Sequence, residues 1–476
     1  MNKKEGTTIK KSLIIKIKKM KYYINIFFAF LFSLGLVSCN ASDSVSKPVP
    51  AYPQYGTRFD KMPKKENAVI YQVNIRAFSA AGTLKGVQDK LTYIQELGVN
   101  VIYLMPIYPV GVLKSAGGLG SPYAVKDYKA VNSEFGTLAD LQVLVEEAHK
   151  KNMAVILDWV ANHTSWDNAW ITDHPDWYQK GSDGKIISPP SFNDVAQLDF
   201  SNTEMRKAMI DAMSYWIYTA NVDGFRCDYA DNVPPNFWSD AITQLRSFKQ
   251  TNLLFLAEGK NVANFNAGFD YTFGFNFYGA LKDVFSKSLS ATSLQDANAL
   301  EYANNYNDSQ RIVRYITNHD VNLSDGTPLE LFNGKKGSMA AFVVAAYMKS
   351  VPMIYNGQEQ GYATRIPFFT HTPINWSTGD LDMLAEYKKI IAFRNASIAL
   401  KTGTYKGFSS DAISAFTMET DTEKVLVLVN LTNTATKYIV PAPLKSIAWK
   451  DGFSSADSPL SAEVSLQPYQ YLILKN

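Results

Sequence analysis

Cysteine is scarce in this chain of 476 residues: Cys39 and Cys227 are the whole complement. One closes an N-terminal leader and the other sits in a stretch that reads as a core strand, so a disulfide-stapled scaffold is excluded. Cys227 reads as a small buried hydrophobe rather than a reactive thiol. A glycine-rich dinucleotide loop is also missing after the first strand-like stretch, 69–75, which disfavours an open doubly wound sheet. Outside the leader no apolar run is long enough to span a membrane. Nor is there a basic stripe beyond the first 38 residues. Residues 1–38 hold eight lysines and one glutamate, so the formal charge of +3 gives way to 39 basic against 43 acidic residues, or −4, once they are set aside. That balance argues for no nucleic-acid partner.

What is present begins with the leader. Lys3, Lys4, Lys10, Lys11, Lys16, Lys18, Lys19 and Lys21 make a basic region, residues 22–37 an apolar run, and Leu36-Val37-Ser38-Cys39 its end. The pattern resembles a bacterial lipoprotein signal, which implies a signal peptide over 1–39 with lipidation of Cys39. An ordinary signal peptide or a signal anchor is the alternative. Ser42, Ser44, Ser46, Pro48, Pro50 and Pro53 give residues 40–65 the composition of a flexible tether.

Hydrophobic residues at 46% and charged ones at 19% suit one large unit with a smaller companion. From residue 68 apolar strand-like stretches alternate with amphipathic helical ones. Strands are expected at 69–75, 99–105, 154–157, 222–225, 253–256, 312–317 and 352–355, and helices at 84–97, 137–151, 203–220, 237–248 and 337–348. Fully apolar strands in βα units imply a parallel sheet covered by helices. About eight units favour a (β/α)8 TIM barrel over residues 66–397. A Trp-, Asp-, Pro- and Ser-rich excursion at 161–201 reads as a short inserted subdomain over the barrel mouth. Past residue 398 short strands at 412–417, 424–430, 437–440 and 469–474 predict a C-terminal all-β sandwich.

Chemistry in such a barrel collects at the C-terminal strand ends. In Val222-Asp223-Gly224-Phe225-Arg226-Cys227-Asp228 the guanidinium and the second carboxylate are two residues apart, hence on one side of a strand. A guanidinium there holds a carboxylate ionised and oriented, as a nucleophile requires. A structural salt bridge is the plain alternative. Asp158, Glu258 and Asp320 end three more strands, with His163 and His319 close by. Four carboxylates on one mouth repel one another, which sets them apart from ordinary strand-end caps.

Asp158-Trp159-Val160-Ala161-Asn162-His163, Gly224-Phe225-Arg226-Cys227-Asp228, Ala257-Glu258 and Thr317-Asn318-His319-Asp320 occur in that order. They resemble the four short blocks of the α-amylase family of retaining glycoside hydrolases. Val99-Asn100-Val101-Ile102-Tyr103-Leu104-Met105-Pro106, Ser121-Pro122-Tyr123 and Gly357-Gln358-Glu359 extend the likeness over roughly 66–397. The resemblance implies that Asp228 is the nucleophile, Glu258 the general acid and then base, and Asp320 the grip on sugar hydroxyls. Arg226 would keep Asp228 ionised, His163 and His319 would bind hydroxyls, and Tyr123 would stack on the sugar at the cleavage point. Two such carboxyls about 5–5.5 Å apart suit double displacement with retention.

The chain departs from the family pattern in places. Asp231-Asn232 stand where many members carry Lys-His, which puts leaving-side contacts in doubt. No cofactor is needed for the chemistry. A structural calcium is implied by the resemblance, with Asn162 as a remaining metal ligand, yet Gln197 replaces an acid that often serves it. Trp166, Trp170, Trp177, Tyr178, Phe368, Phe369 and Trp376 fall in mouth loops, as sugar platforms or as loop packing. The expected activity is hydrolysis of α-1,4 bonds in starch or maltooligosaccharides, with an α-glucan as substrate. Cyclomaltodextrinase, neopullulanase or glucanotransferase action is the alternative, and a non-catalytic sugar-binding envelope protein the rival from another class. The leader adds a membrane contact through the lipid, placement in the cell envelope (outer membrane of a Gram-negative bacterium), and other starch-uptake envelope proteins as partners.

Overall fold

The computed structural model describes residues 52–249, 252–303 and 310–476. The leader, Cys39 and residues 40–51 lie outside these described residues. Eight parallel strands close a barrel: β1 Ile70–Val73, β2 Val101–Leu104, β3 Ala154–Trp159, β4 Gly224–Cys227, β5 Leu254–Ala257, β6 Tyr271–Phe273, β7 Arg311–Arg314 and β8 Val351–Tyr355, with β8 pairing back onto β1. The TIM-barrel expectation is met. The strand at 69–75 is shorter than expected. It stops at Val73, and Ile75–Phe78 turns into a helix. Strand β6 has three residues and no apolar run to announce it.

Strand alternation sorts the core. Ile70, Val101, Tyr103, Ala154, Ile156, Leu254, Leu256, Tyr271, Phe273, Val313 and Met353 form one cluster, filling the barrel. The other parity, including Tyr71, Ile102, Val155, Leu157, Phe225 and Phe255, packs with the helices. Asp158 and Arg226 continue the interior parity at the C-terminal end, two residues beyond Ile156 and Gly224. Gly224 cannot be replaced without movement: its φ is +146°, and a Cβ there would meet Leu254 O at 1.9 Å. Strands β4 and β5 therefore approach closely just below the site.

Part of the expected tether is fixed instead. The Phe59 ring is buried and stacks on His149 at 4.5 Å, Tyr55 N–H donates to Tyr218 O at 2.8 Å, and Tyr52 hydroxyl donates to Asp211 at 2.7 Å. Two aromatic side chains and one backbone N–H in this stretch find partners on the barrel, which a Ser/Pro composition does not reveal.

The C-terminal unit is antiparallel, as expected. Strands β9 Thr404–Gly407, β10 Ile413–Glu419, β11 Lys424–Asn430, β13 Lys450–Asp451 and β15 Tyr471–Lys475 form one sheet in the order β9-β10-β11-β15-β13. A second ladder pairs β12 Thr436–Ile439 with β14 Glu463–Leu466. Ile413, Ala415, Leu426, Leu428 and Leu474 pack with Tyr438 and Leu466 between the layers. The opposite parity, Phe416, Met418, Val425, Val427 and Val429, joins the main core. The excursion folds as an antiparallel hairpin of His163–Ser165 with Val195–Gln197, enclosing a short helix, Trp170–Asp173.

Candidate active site

Arg226, on β4, is 1% exposed and organises the barrel mouth. Its Nη1 donates to Asp158 Oδ1 at 2.6 Å and to Asp228 Oδ1 at 2.9 Å, and its Nη2 lies 2.5 Å from Glu258 Oε1. From sequence Arg226 belongs to Asp228 alone. The structure corrects this, because β3 and β5 flank β4 in register and bring their own carboxylates to the same guanidinium. Asp158 Oδ2 also accepts from the Tyr103 hydroxyl at 2.6 Å and the Tyr123 hydroxyl at 2.9 Å. Burial pushes the Asp158 carboxyl above its ordinary value, while the guanidinium and the Tyr103 hydroxyl pull against it.

Asp228 follows β4 directly and opens onto a cavity of about 670 Å³, whose lining also includes Glu258, Asp320, Tyr123, His163 and His319. All three predicted catalytic carboxylates thus meet in one cavity. Burial raises the Asp228 carboxyl well above the usual range, the negative charge of Glu258 adds to the rise, and Arg226 opposes it. Tyr229 has left-handed backbone, φ 49° and ψ 38°, uncommon for a residue with a side chain. This turn aims its N–H at Glu258 Oε2, 2.8 Å away. Asp231, which stands where the family often has lysine, accepts from the N–H groups of Lys260 at 2.9 Å and Asn261 at 3.2 Å and from Asn264 Nδ2 at 2.7 Å. It ties the β4 loop to the β5 loop, and Gly259 leaves the room: a Cβ there would lie 2.3 Å from Asp231 Oδ1. The Asn232 side chain is exposed and lies outside the cavity lining.

Asp320 occupies the first turn of the helix His319–Ser324, capped by Asn318, whose Oδ1 accepts from Asp320 N and Val321 N. Its side chain is half exposed, with Oδ2 3.3 Å from His319 Nε2. His319 Nδ1 lies 2.8 Å from Gln72 Nε2, and its Nε2 lies 2.5 Å from the Tyr123 hydroxyl. An amide N–H donating to Nδ1 leaves the ring proton on Nε2. Burial pushes His319 down to about 4, Arg226 adding to it, and burial pushes His163 down to about 4. Both imidazoles are therefore neutral near pH 7. The Tyr123 ring stacks on His319 at 5.3 Å, so it stands in the cavity wall with its hydroxyl tied to Asp158.

Among the expected aromatic platforms, Phe368 and Phe369 line the cavity. The others do not: Trp177 and Tyr178 are buried, Trp166 carries the Lys114 ammonium 3.4 Å from a ring centroid, Trp170 packs edge-on to Trp177, and the Trp376 indole donates to Phe78 O at 2.7 Å. The excursion instead supplies Phe192, and Tyr229 and Phe275 complete the walls. Tyr229 could have been found by adjacency to Asp228. Phe192 had no signal in the sequence.

The residues present do not fit a calcium ion. Asn162 O and Oδ1 both accept from Gln197 Nε2, at 3.0 and 3.1 Å, so the expected ligand already faces an N–H donor. Asp199 Oδ1 accepts from Ser201 N at 2.9 Å. Among the described residues no group of three or more His, Cys, Asp or Glu side chains gathers to hold a metal. A hard cation takes six to eight oxygens, with charged ones favoured.

A family model described as alpha amylase, catalytic domain, matches residues 54–185 and 189–380. "Alpha-amylase 2" of Dictyoglomus thermophilum is 29% identical over 404 residues, covering 79% of this chain and 68% of that protein. A cyclomaltodextrinase of Thermoanaerobacter pseudethanolicus is 25% identical over 374 residues, 73% of this chain, and the match spans 63% of that relative's length. The crystal structure of an alpha-amylase from Lactobacillus plantarum superposes with a TM-score of 0.78 at 27% identity, covering 87% of this chain and 99% of that one.

Proposed function

The chain belongs to the alpha-amylase family of glycoside hydrolases, and on that premise we propose that it hydrolyses α-1,4-glucosidic bonds of starch or maltooligosaccharides with retention. One observation carries the reading: a single buried guanidinium bridges Asp228 and Glu258 on adjacent strand ends, inside a cavity walled by Tyr123, Phe192, Phe368 and Phe369. Two carboxyls so placed can divide the work of nucleophile and acid.

In the first step an Asp228 oxygen attacks the anomeric carbon, the glycosidic C–O bond breaks, and Glu258 gives its proton to the leaving oxygen. In the second, Glu258 takes a proton from water, the water oxygen attacks the anomeric carbon, and Asp228 departs. Two inversions leave the α configuration. Burial and the negative charge of Glu258 raise the Asp228 carboxyl and Arg226 opposes them, so the attack relies on Arg226 to hold Asp228 as the carboxylate. With each Nδ1 taken by a side-chain amide, neutral His163 and His319 keep the ring N–H on Nε2 for hydroxyls, and Asp320 accepts from hydroxyls beside them. The lipoprotein-like leader supports anchoring through Cys39 in the cell envelope, beside other proteins that handle starch.

The test is product analysis on amylose, pullulan, cyclodextrin and maltotriose with polarimetry or NMR of the first-formed anomer. Short α-anomeric maltooligosaccharides from amylose are expected. First-formed β products would overturn retention, and preference for cyclodextrin or pullulan would move the reading to a cyclomaltodextrinase or neopullulanase.

A further inference from the structure

Gln197 pairs with His163 across the excursion hairpin, and its side-chain amide meets Asn162, the residue before His163. One nitrogen, Nε2, lies 3.0 Å from Asn162 O, 3.1 Å from Asn162 Oδ1 and 3.3 Å from Leu198 O. Asn162 Nδ2 returns the contact to Gln197 Oε1 at 3.3 Å and lies 3.2 Å from His163 Nδ1. Turning the Gln197 amide over would set its oxygen against three oxygens, so the network dictates the orientation. The spacings are those of hydrogen bonds and not of the 2.3–2.6 Å, roughly, that calcium keeps from oxygen.

We propose that Gln197 is a positioning residue whose amide nitrogen does the work of a bound cation, gathering Asn162 and Leu198 oxygens and, through Asn162, orienting His163 toward the substrate. Asn162 is 1% and His163 5% exposed, so both are held out of bulk water. Donation from Asn162 to Nδ1 fixes the proton of the neutral His163 ring on Nε2. Without Gln197, Asn162 O keeps the Leu198 N–H at 3.2 Å, but Asn162 Oδ1 loses its donor and stays buried. A carboxylate at 197 would be worse than a gap, since it repels the same oxygens until a cation arrives.

The activity arm of the test rests on the α-glucan reading, while the melting arm does not. On the full chain, EDTA should leave the wild-type melting temperature unchanged. Gln197→Glu in EDTA should melt lower and lose about tenfold or more in kcat/KM on maltoheptaose, the scale of an unpaired buried acceptor. Millimolar Ca²⁺ should restore both. Gln197→Ala should lose similarly without rescue by Ca²⁺. His163→Ala combined with Gln197→Ala should lose no more kcat/KM than His163→Ala alone, because the two act as one unit. A wild type that melts lower in EDTA and recovers with Ca²⁺, a Gln197→Glu protein indifferent to the metal, or additive losses in the double variant would each overturn the proposal. A wild type inert on every α-glucan would sink the proposed function, with the melting arm still deciding the role of Gln197.

Discussion

Glu258 Oε1 lies 2.5 Å from Arg226 Nη2, one strand across the barrel, while Glu258 Oε2 accepts the Tyr229 N–H at 2.8 Å. Both carboxyl oxygens are thus engaged, and the side chain must release one before it can protonate a leaving oxygen. Arg226 is shared by Asp158, Asp228 and Glu258. Its planar fork spreads the donors over two nitrogens to meet these three carboxylates, whereas an ammonium gathers its three donors on one flexible point.

Arg226→Lys is expected to lower kcat/KM by about 100-fold or more, the scale of losing a preorganised electrostatic contact. Steady-state kinetics on maltoheptaose, with circular dichroism to verify folding, checks this. A loss under tenfold would show that charge alone suffices.

The raised carboxyl of Asp228 sets a trade between stability and activity. Its folded value lies above its unfolded one, so the stability it contributes is present below the ordinary carboxylate range, about 3.9, and is lost as pH rises through the folded value. At pH 7 the group therefore opposes folding. Asp228→Asn should abolish turnover and raise the melting temperature at pH 7 by about 2–4 °C. The gain should shrink toward pH 4. Paired thermal melts at the two pH values decide it, and a lower melting temperature at pH 7 would refute the account.

Removing the acid should leave the nucleophile competent. A substrate with a good leaving group, such as α-glucosyl fluoride, needs little protonation. Glu258→Gln should be glycosylated by it at Asp228 and should stall there, because no base activates water. Azide should rescue turnover and yield a glycosyl azide of α configuration. Asp228→Ala should show neither behaviour. A β azide, or rescue of Asp228→Ala alone, would exchange the roles.

The leader makes a separate prediction. Cys39→Ala should move the protein from the membrane fraction to the soluble one with kcat/KM unchanged, as cell fractionation with immunoblotting would show. Retention in the membrane fraction equal to that of wild type would exclude lipidation at Cys39 as the anchor.

The barrel, the all-β unit beyond it and the three carboxylates were legible in the sequence for a local reason. Apolar runs of strand length, their turn residues and the acids at their ends are properties of consecutive residues. Strand β6 is not legible there because Tyr271–Phe273 is too short to show a pattern. The division of Arg226 among three carboxylates was beyond sequence, since it depends on β3 and β5 lying on either side of β4. Phe192 reaches the cavity because the hairpin folds over the mouth, and Gln197 meets Asn162, 35 residues earlier, for the same reason. Spacing along a strand tells which side chains share a face. Closure of the barrel and the fold of its longest loop decide which face each of them meets, and with it the charge that every carboxylate feels.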